Sequence, residues 1–193
     1  MSNEAAIEMF VAGLVLDPNT QAPVVVLKDE GGTVHIPIWI GIAEATSIAS
    51  AIKQLPMARP LTHDLMYDIF QQMSVKVERV VVTELKDSTY YAELILSIGD
   101  RAVILDSRPS DAIAVALRAS APIFVAEKVI EQAKASFSVV PQEGAASSSQ
   151  GQSGAASDAS DTQDEQQDFK QIDKDKWREI LDKLDPDDFK FKM

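Results

Sequence analysis

The sequence contains no cysteine. Disulfides, thiolate catalysis and zinc sites built on cysteine are therefore excluded. A cysteine-free chain suits a reducing compartment, and a cytoplasmic location is the expectation. Histidine is almost as scarce, with only His35 and His63. Long apolar runs are missing too. The longest, Ile36 to Ala43, falls far short of the roughly 20 residues that span a bilayer. The opening MSNEAAIEMF carries Glu4 and Glu8 and no basic residue, which is unlike a signal peptide. No membrane partner is expected. Positive charge is also in deficit. A formal net charge of −12 argues against a broad basic surface that grips nucleic acid regardless of sequence. It leaves room for a small site where a metal ion bridges carboxylates and phosphate.

What is present is a core. The chain has 193 residues, 46% of them hydrophobic, enough for one domain of ordinary size and an appendage. Composition shifts near Pro141. Residues 1–141 are rich in Val, Ile, Ala and Leu, whereas 142–168 are Gly, Ser, Ala, Gln and Asp without Ile, Leu or Val. Such a linker cannot bury enough apolar surface to offset its ordering entropy, so disorder is predicted. In 169–193, Trp177, Ile180, Leu181 and Leu184 recur at helical spacing. This predicts a short amphipathic C-terminal helix that docks on the body or on a partner. The net negative charge divides equally between residues 1–141 and 142–193, so the tail is not a nucleic-acid arm.

Within the body, IEMFVAGLVLD reads as a strand with Met9, Val11, Gly13 and Val15 on one side. PVVVLKDEGGTVHIPIWIG reads as a hairpin about Gly31-Gly32, where glycine permits positive φ. AEATSIASAIKQL and THDLMYDIFQQM read as helices, the second with Leu65, Ile69 and Met73 spaced by four. Three strands follow, turning at Lys86-Asp87-Ser88 and Gly99-Asp100, then a helix from SDAIAVALRAS, the short strand PIFVA and the helix EKVIEQAKA. The order β-β-β-α-α-β-β-β-α-β-α comes in hairpins rather than strict alternation. It predicts an α+β fold with a mostly antiparallel or mixed sheet and about four helices.

Two of the helix starts share a pattern: Arg59-Pro60, Thr62, Asp64, and Arg108-Pro109, Ser110, Asp111. Capping alone accounts for much of it. A hydroxyl can accept a bond from a first-turn N–H, and its loss costs about 1 kcal/mol. Asp in the first turn suits the helix dipole, and proline there wastes no donor. Arginine does not suit that end of the dipole, so Arg59 and Arg108 need partners: Asp106, Asp111 or a bound phosphate. His63 beside Asp64 is a candidate general base or metal ligand, while His35 reads as a sheet-face residue. His63, Asp64 and Asp111 are the catalytic candidates. Asp64, Asp106 and Asp111 could hold Mg²⁺ or Mn²⁺, and Arg59, Arg108 and Ser110 could bind substrate. The spacing forces none of this. Glu44 could join the cluster or merely suit its own helix dipole, and the dipole is the preferred reading. Ser107 and Ser110 lack a Gly-x-Ser-x-Gly setting, which disfavours a serine hydrolase. Trp39 reads as core or interface, and one of Tyr90 and Tyr91 as core.

Five stretches in order, IPIWIGIAEATSIASAI, RPLTHDL, YYAELIL, DSRPSDAIAVALR and PIFVAEKVI, resemble the bifunctional nuclease domain family, long described as a domain of unknown function. The likeness covers roughly residues 7 to 137. It implies a compact α+β domain, self-association into a homo-oligomer, and nuclease activity towards DNA and RNA. Arg59, Thr62, His63, Asp64, Asp106, Arg108, Ser110 and Asp111 match the family's motifs. Three readings stay open: a metal-assisted nuclease, a non-catalytic regulatory or interaction domain, and a hydrolase of smaller phosphate esters or nucleotides. The first requires the two helix starts to meet in space, with their carboxylates within about 5 Å of each other so that one ion can bridge them.

Overall fold

Stretches rich in Val and Ile build seven strands, and the hairpin turns between them carry positive φ. The computed structural model describes residues 5–138. The chain runs β1 (Ala6–Leu16), β2 (Pro23–Asp29), β3 (His35–Trp39), α1 (Ile42–Ile52), α2 (Thr62–Gln72), β4 (Val75–Lys86), β5 (Thr89–Ile98), β6 (Arg101–Ser107), α3 (Pro109–Ala119), β7 (Ile123–Ala126) and α4 (Glu127–Ser138). This is the predicted order. Gly32 and Gly99 sit at φ 65° and 57°, and Asp87 and Ser88, joining β4 to β5, at 48° and 63°. Positive φ at both central residues matches the right-handed twist of the flanking strands. The proposed linker and C-terminal helix lie outside the described residues.

The strands form one sheet in the order β3-β2-β1-β7-β4-β5-β6. All neighbours are antiparallel except β4 and β7, which run parallel. Parallel pairing needs a crossover, and here it consists of β5, β6 and α3. The fold is α+β with a mixed sheet, as the hairpin-rich order predicts. The short strand β7 sits at the centre of the sheet, with Val125 fully buried.

Strands β1 and β4 both carry register shifts, and the one in β1 divides the core. A bulge between Val11 and Gly13 shifts the register of β1 on β2. An extra residue reverses which side chains face which way beyond it. Met9, Val11 and Leu14 therefore serve the main core, while Ala12 and Val15 join Val24, Val26 and Trp39 in a second, smaller cluster. The expected single face of Met9, Val11, Gly13 and Val15 ends at that bulge.

Helix α3 is the axis of the helical layer. Seven of its residues are buried, the run Ala112 to Ala116 among them, and it packs against α1, α2, β4 and β5. Helix α2 lies more loosely. None of its residues is fully buried. Met66 and Phe70 face the core, whereas Leu65, Ile69 and Met73 stay exposed. The i, i+4 stripe that marks α2 as a helix in the sequence is thus its outward face.

Candidate active site

Three helices bring their first turns or first face together. Helix α1 starts after Gly41 and carries Glu44 in its first turn, with Ser47 one turn on. Helix α2 follows Leu61, so His63 is its second residue. Helix α3 follows Arg108, with Pro109 at the first position and Asp111 in the first turn. Proline there fixes φ without losing a needed donor.

Neither helix start is capped by a hydroxyl, contrary to the capping expectation. Asp64 Oδ2 instead accepts the Leu61 N–H at 2.7 Å, and Ser107 Oγ donates to the Arg108 carbonyl. Thr62 is the first residue of its helix, and Ser110 is buried within the first turn of α3.

The two starts meet through His63 and Asp111, not through a group of carboxylates. His63 Nε2 lies 3.0 Å from Asp111 Oδ1. On the other side of the ring, His63 Nδ1 lies 2.8 Å from Ser47 Oγ. Arg108 grips Asp111 with two bonds, Nε to Oδ2 at 2.7 Å and Nη2 to Oδ1 at 3.1 Å. The same Nη2 reaches Glu44 Oε1 at 2.9 Å. Burial alone would raise the pKa of Asp111, but the bonds from Arg108 and His63 outweigh it and hold the carboxyl below its ordinary value. Asp111 is therefore ionised at neutral pH. Arg108 is held still more firmly protonated, chiefly by Asp111 and then by Glu44.

These groups line a cavity of about 860 Å³, whose walls include Glu44, Ser47, His63, Asp106, Arg108 and Asp111. That volume is in the range of ligand sites. Its walls carry three carboxylates, one guanidinium and one imidazole.

The other predicted residues lie apart from this wall. Both oxygens of Asp64 are engaged, one by Leu61 and the other by Arg118 Nε at 2.6 Å. Burial pushes the Asp64 pKa up; the Leu61 N–H and Arg118 more than reverse it. Arg59 is exposed in the loop between α1 and α2, and among the described residues no ion pair involves it. Ser110 is not among the cavity walls. The three carboxylates considered for a metal do not gather. Among the described residues no three side chains form a metal-ligand group.

Three site residues were not singled out from the sequence, or were read otherwise. Glu44 joins the cluster rather than only suiting its helix dipole. Ser47 follows it by one turn, so both lie on one face of α1. Arg118, whose side chain is only 6% exposed, sits two turns after Asp111 on α3. The i, i+3 and i, i+7 spacings were legible signals. The partners were not.

Residues 25–138 match the family described as the bifunctional nuclease domain. The chain belongs to that family. The likeness drawn from the five motifs thus holds, and the candidate site falls within the matched segment. An uncharacterized protein of Mycobacterium tuberculosis is 34% identical over 183 residues, covering 95% of this chain and 98% of the relative. Bifunctional nuclease 2 of Arabidopsis thaliana is 37% identical over 105 residues, which is 52% of this chain and 32% of that protein. Bifunctional nuclease 1 of the same plant is 32% identical over 134 residues, or 63% and 41%. The similarity to these two plant proteins therefore covers less than half of their length.

Proposed function

We propose that this domain is a nuclease that hydrolyses phosphodiester bonds of DNA and RNA. The observation that carries the reading is His63, fixed between Asp111 and Ser47 in the wall of a cavity with Arg108 beside it. Family membership and the names of the plant relatives support the same class of substrate.

Each side chain has a role in this reading. Asp111 orients the imidazole and stabilises its charged form. His63 takes a proton from the attacking group and returns it to the leaving oxygen. Arg108, with two-thirds of its side chain exposed, is free to exchange a carboxylate for a phosphate oxygen. Asp106 and Glu44 set the negative side of the cavity. Asp64 positions α2 through Arg118 rather than touching substrate.

Carboxylate oxygens suit Mg²⁺ or Mn²⁺, but those of Asp64 and Asp111 are already held by hydrogen bonds and ion pairs. To hold a cation, Asp64 and Asp111 would have to release these partners, and the roles above use the chain's own groups. The requirement for Mg²⁺ or Mn²⁺ is a separate element of the proposal. The test is cleavage of labelled single- and double-stranded DNA and RNA with Mg²⁺, Mn²⁺ or EDTA, beside folded His63→Gln. Cleavage lost in the variant supports the reading, and equal cleavage by both proteins sinks it. Loss in EDTA decides the metal.

A second reading, a non-catalytic regulatory or interaction domain that forms homo-oligomers, is favoured by one observation. The apolar stripe Leu65, Ile69 and Met73 on α2 is exposed and suits contact with another copy. The cysteine-free composition supports a cytoplasmic setting for either reading. Among the described residues no helix is long and apolar enough to cross a membrane.

A further inference from the structure

We propose that Ser47 is a nucleophile, activated by His63 and Asp111 through a hydroxyl–imidazole–carboxylate relay, and that the site works through a covalent phosphoserine. This deepens the nuclease reading by naming the group that attacks phosphorus, and it rests on that reading for its substrate.

The chemistry of the partners fixes the direction of the relay. An ionised carboxylate only accepts hydrogen bonds, so the ring nitrogen facing Asp111, Nε2 at 3.0 Å, carries the hydrogen. In neutral imidazole the other nitrogen is then a bare acceptor. Ser47 Oγ, 2.8 Å from Nδ1, must donate to it. The Ser47 proton thus already points at a base whose far side is held by a carboxylate. Such constellations are recognised by geometry and roles rather than by sequence order, which is why the absence of a Gly-x-Ser-x-Gly motif did not reveal this one.

Ser47 is also held in place. Its carbonyl accepts Ser50 Oγ at 2.9 Å and Arg118 Nη2 at 3.3 Å. Ser47 is 5% exposed, and the His63 side chain 12%, yet both line the cavity. A relay shielded from bulk water but open to a cavity is what covalent catalysis requires.

The reaction balances in two halves. Ser47 Oγ attacks phosphorus, its proton passes to His63 Nδ1, and the bond from phosphorus to the leaving nucleoside oxygen breaks. That oxygen takes the proton from Nδ1. Water then attacks the phosphoserine and gives a proton to Nδ1. The bond from phosphorus to Oγ breaks, and Oγ recovers that proton. One water is consumed for each bond cleaved. Ser47 and His63 are the catalytic residues, and Asp111 is a positioning residue.

The test treats the full chain with a small fluorophosphonate, which releases fluoride when a serine oxygen bonds its phosphorus. Adducts are read by intact mass and peptide mapping. Wild type should gain one adduct, on Ser47. Ser47→Ala should gain none there, and His63→Gln should react at least about 100-fold more slowly. Ser47→Cys guards against misfolding of the alanine variant. The natural chain has no cysteine, so the introduced thiol is the sole target of iodoacetamide. At neutral pH it should be alkylated at least about tenfold faster than in Ser47→Cys/His63→Gln. No adduct on wild type, or one thiol rate regardless of His63, overturns the proposal. Labelled Ser47 without nucleic-acid cleavage overturns the nuclease reading and keeps the nucleophile. Full cleavage by folded Ser47→Ala overturns the nucleophile and keeps the nuclease.

Discussion

Arg118 near the end of α3 reaches Asp64 at the start of α2, with Nε 2.6 Å from Oδ1. The same guanidinium holds the carbonyls of Ala114 and Ser47. One buried arginine therefore ties together the three helices that carry Ser47, His63 and Asp111. Arg118→Met keeps the apolar stem and removes the donors. It is expected to cost about 2 kcal/mol, the range for hydrogen bonds to charged groups. Urea unfolding would show a lower midpoint at unchanged slope. A change below about 0.5 kcal/mol would mean that this tie contributes nothing.

Acid should loosen the same site. Asp64 and Asp111 both have folded pKa values below the ordinary 3.8. A group depressed on folding contributes stability that is present above its unfolded pKa and lost as pH falls through its folded pKa. Stability is therefore expected to fall as pH drops below about 4. Asp64→Asn should be less stable than wild type at pH 7 and show a shallower fall in acid. Parallel acid curves for the two proteins would contradict this.

Arg108 separates chemistry from stability. Its side chain is 66% exposed, so Arg108→Ala should change folding stability by no more than about 1 kcal/mol. Under the nuclease proposal, kcat/KM should fall about 100-fold, the usual loss for a group that stabilises developing charge. Arg108→Lys should recover only part of it, because an ammonium cannot reproduce the two-pronged contact. Cleavage assays beside urea unfolding check both halves.

Two isoleucines mark the contrast between core and surface. Ile113 on α3 is fully buried, and Ile113→Ala should cost about 2–5 kcal/mol. Ile69 on α2 is 47% exposed, and Ile69→Ser should stay within about 0.5 kcal/mol. If α2 mediates self-association, the latter variant should also show a lower mass by light scattering. Unchanged mass would remove α2 from any such interface.

Among the described residues the buried core ends at Ala133. A chain cut after Pro141 should therefore fold with the same cooperative unfolding as the whole. Loss of that transition would assign the tail a part in the core.

The sequence by itself determined the order of strands and helices, the α+β class and where the second and third helices begin. These are local properties. β-branched runs, turn residues, first-turn carboxylates and proline each act within a few positions of the chain. Tertiary structure alone decided the partners. His63 meets Asp111 across 48 residues and Arg118 meets Asp64 across 54, and nothing local distinguishes the carboxylate that faces the cavity from the one that ties helices. Only the packing of α1 and α2 against α3 makes Ser47 a neighbour of His63. Only the bulge in β1 decides which of its side chains enter the main core. Side-chain geometry is set by where elements pack, and that depends on burial summed over the whole domain rather than on any one stretch.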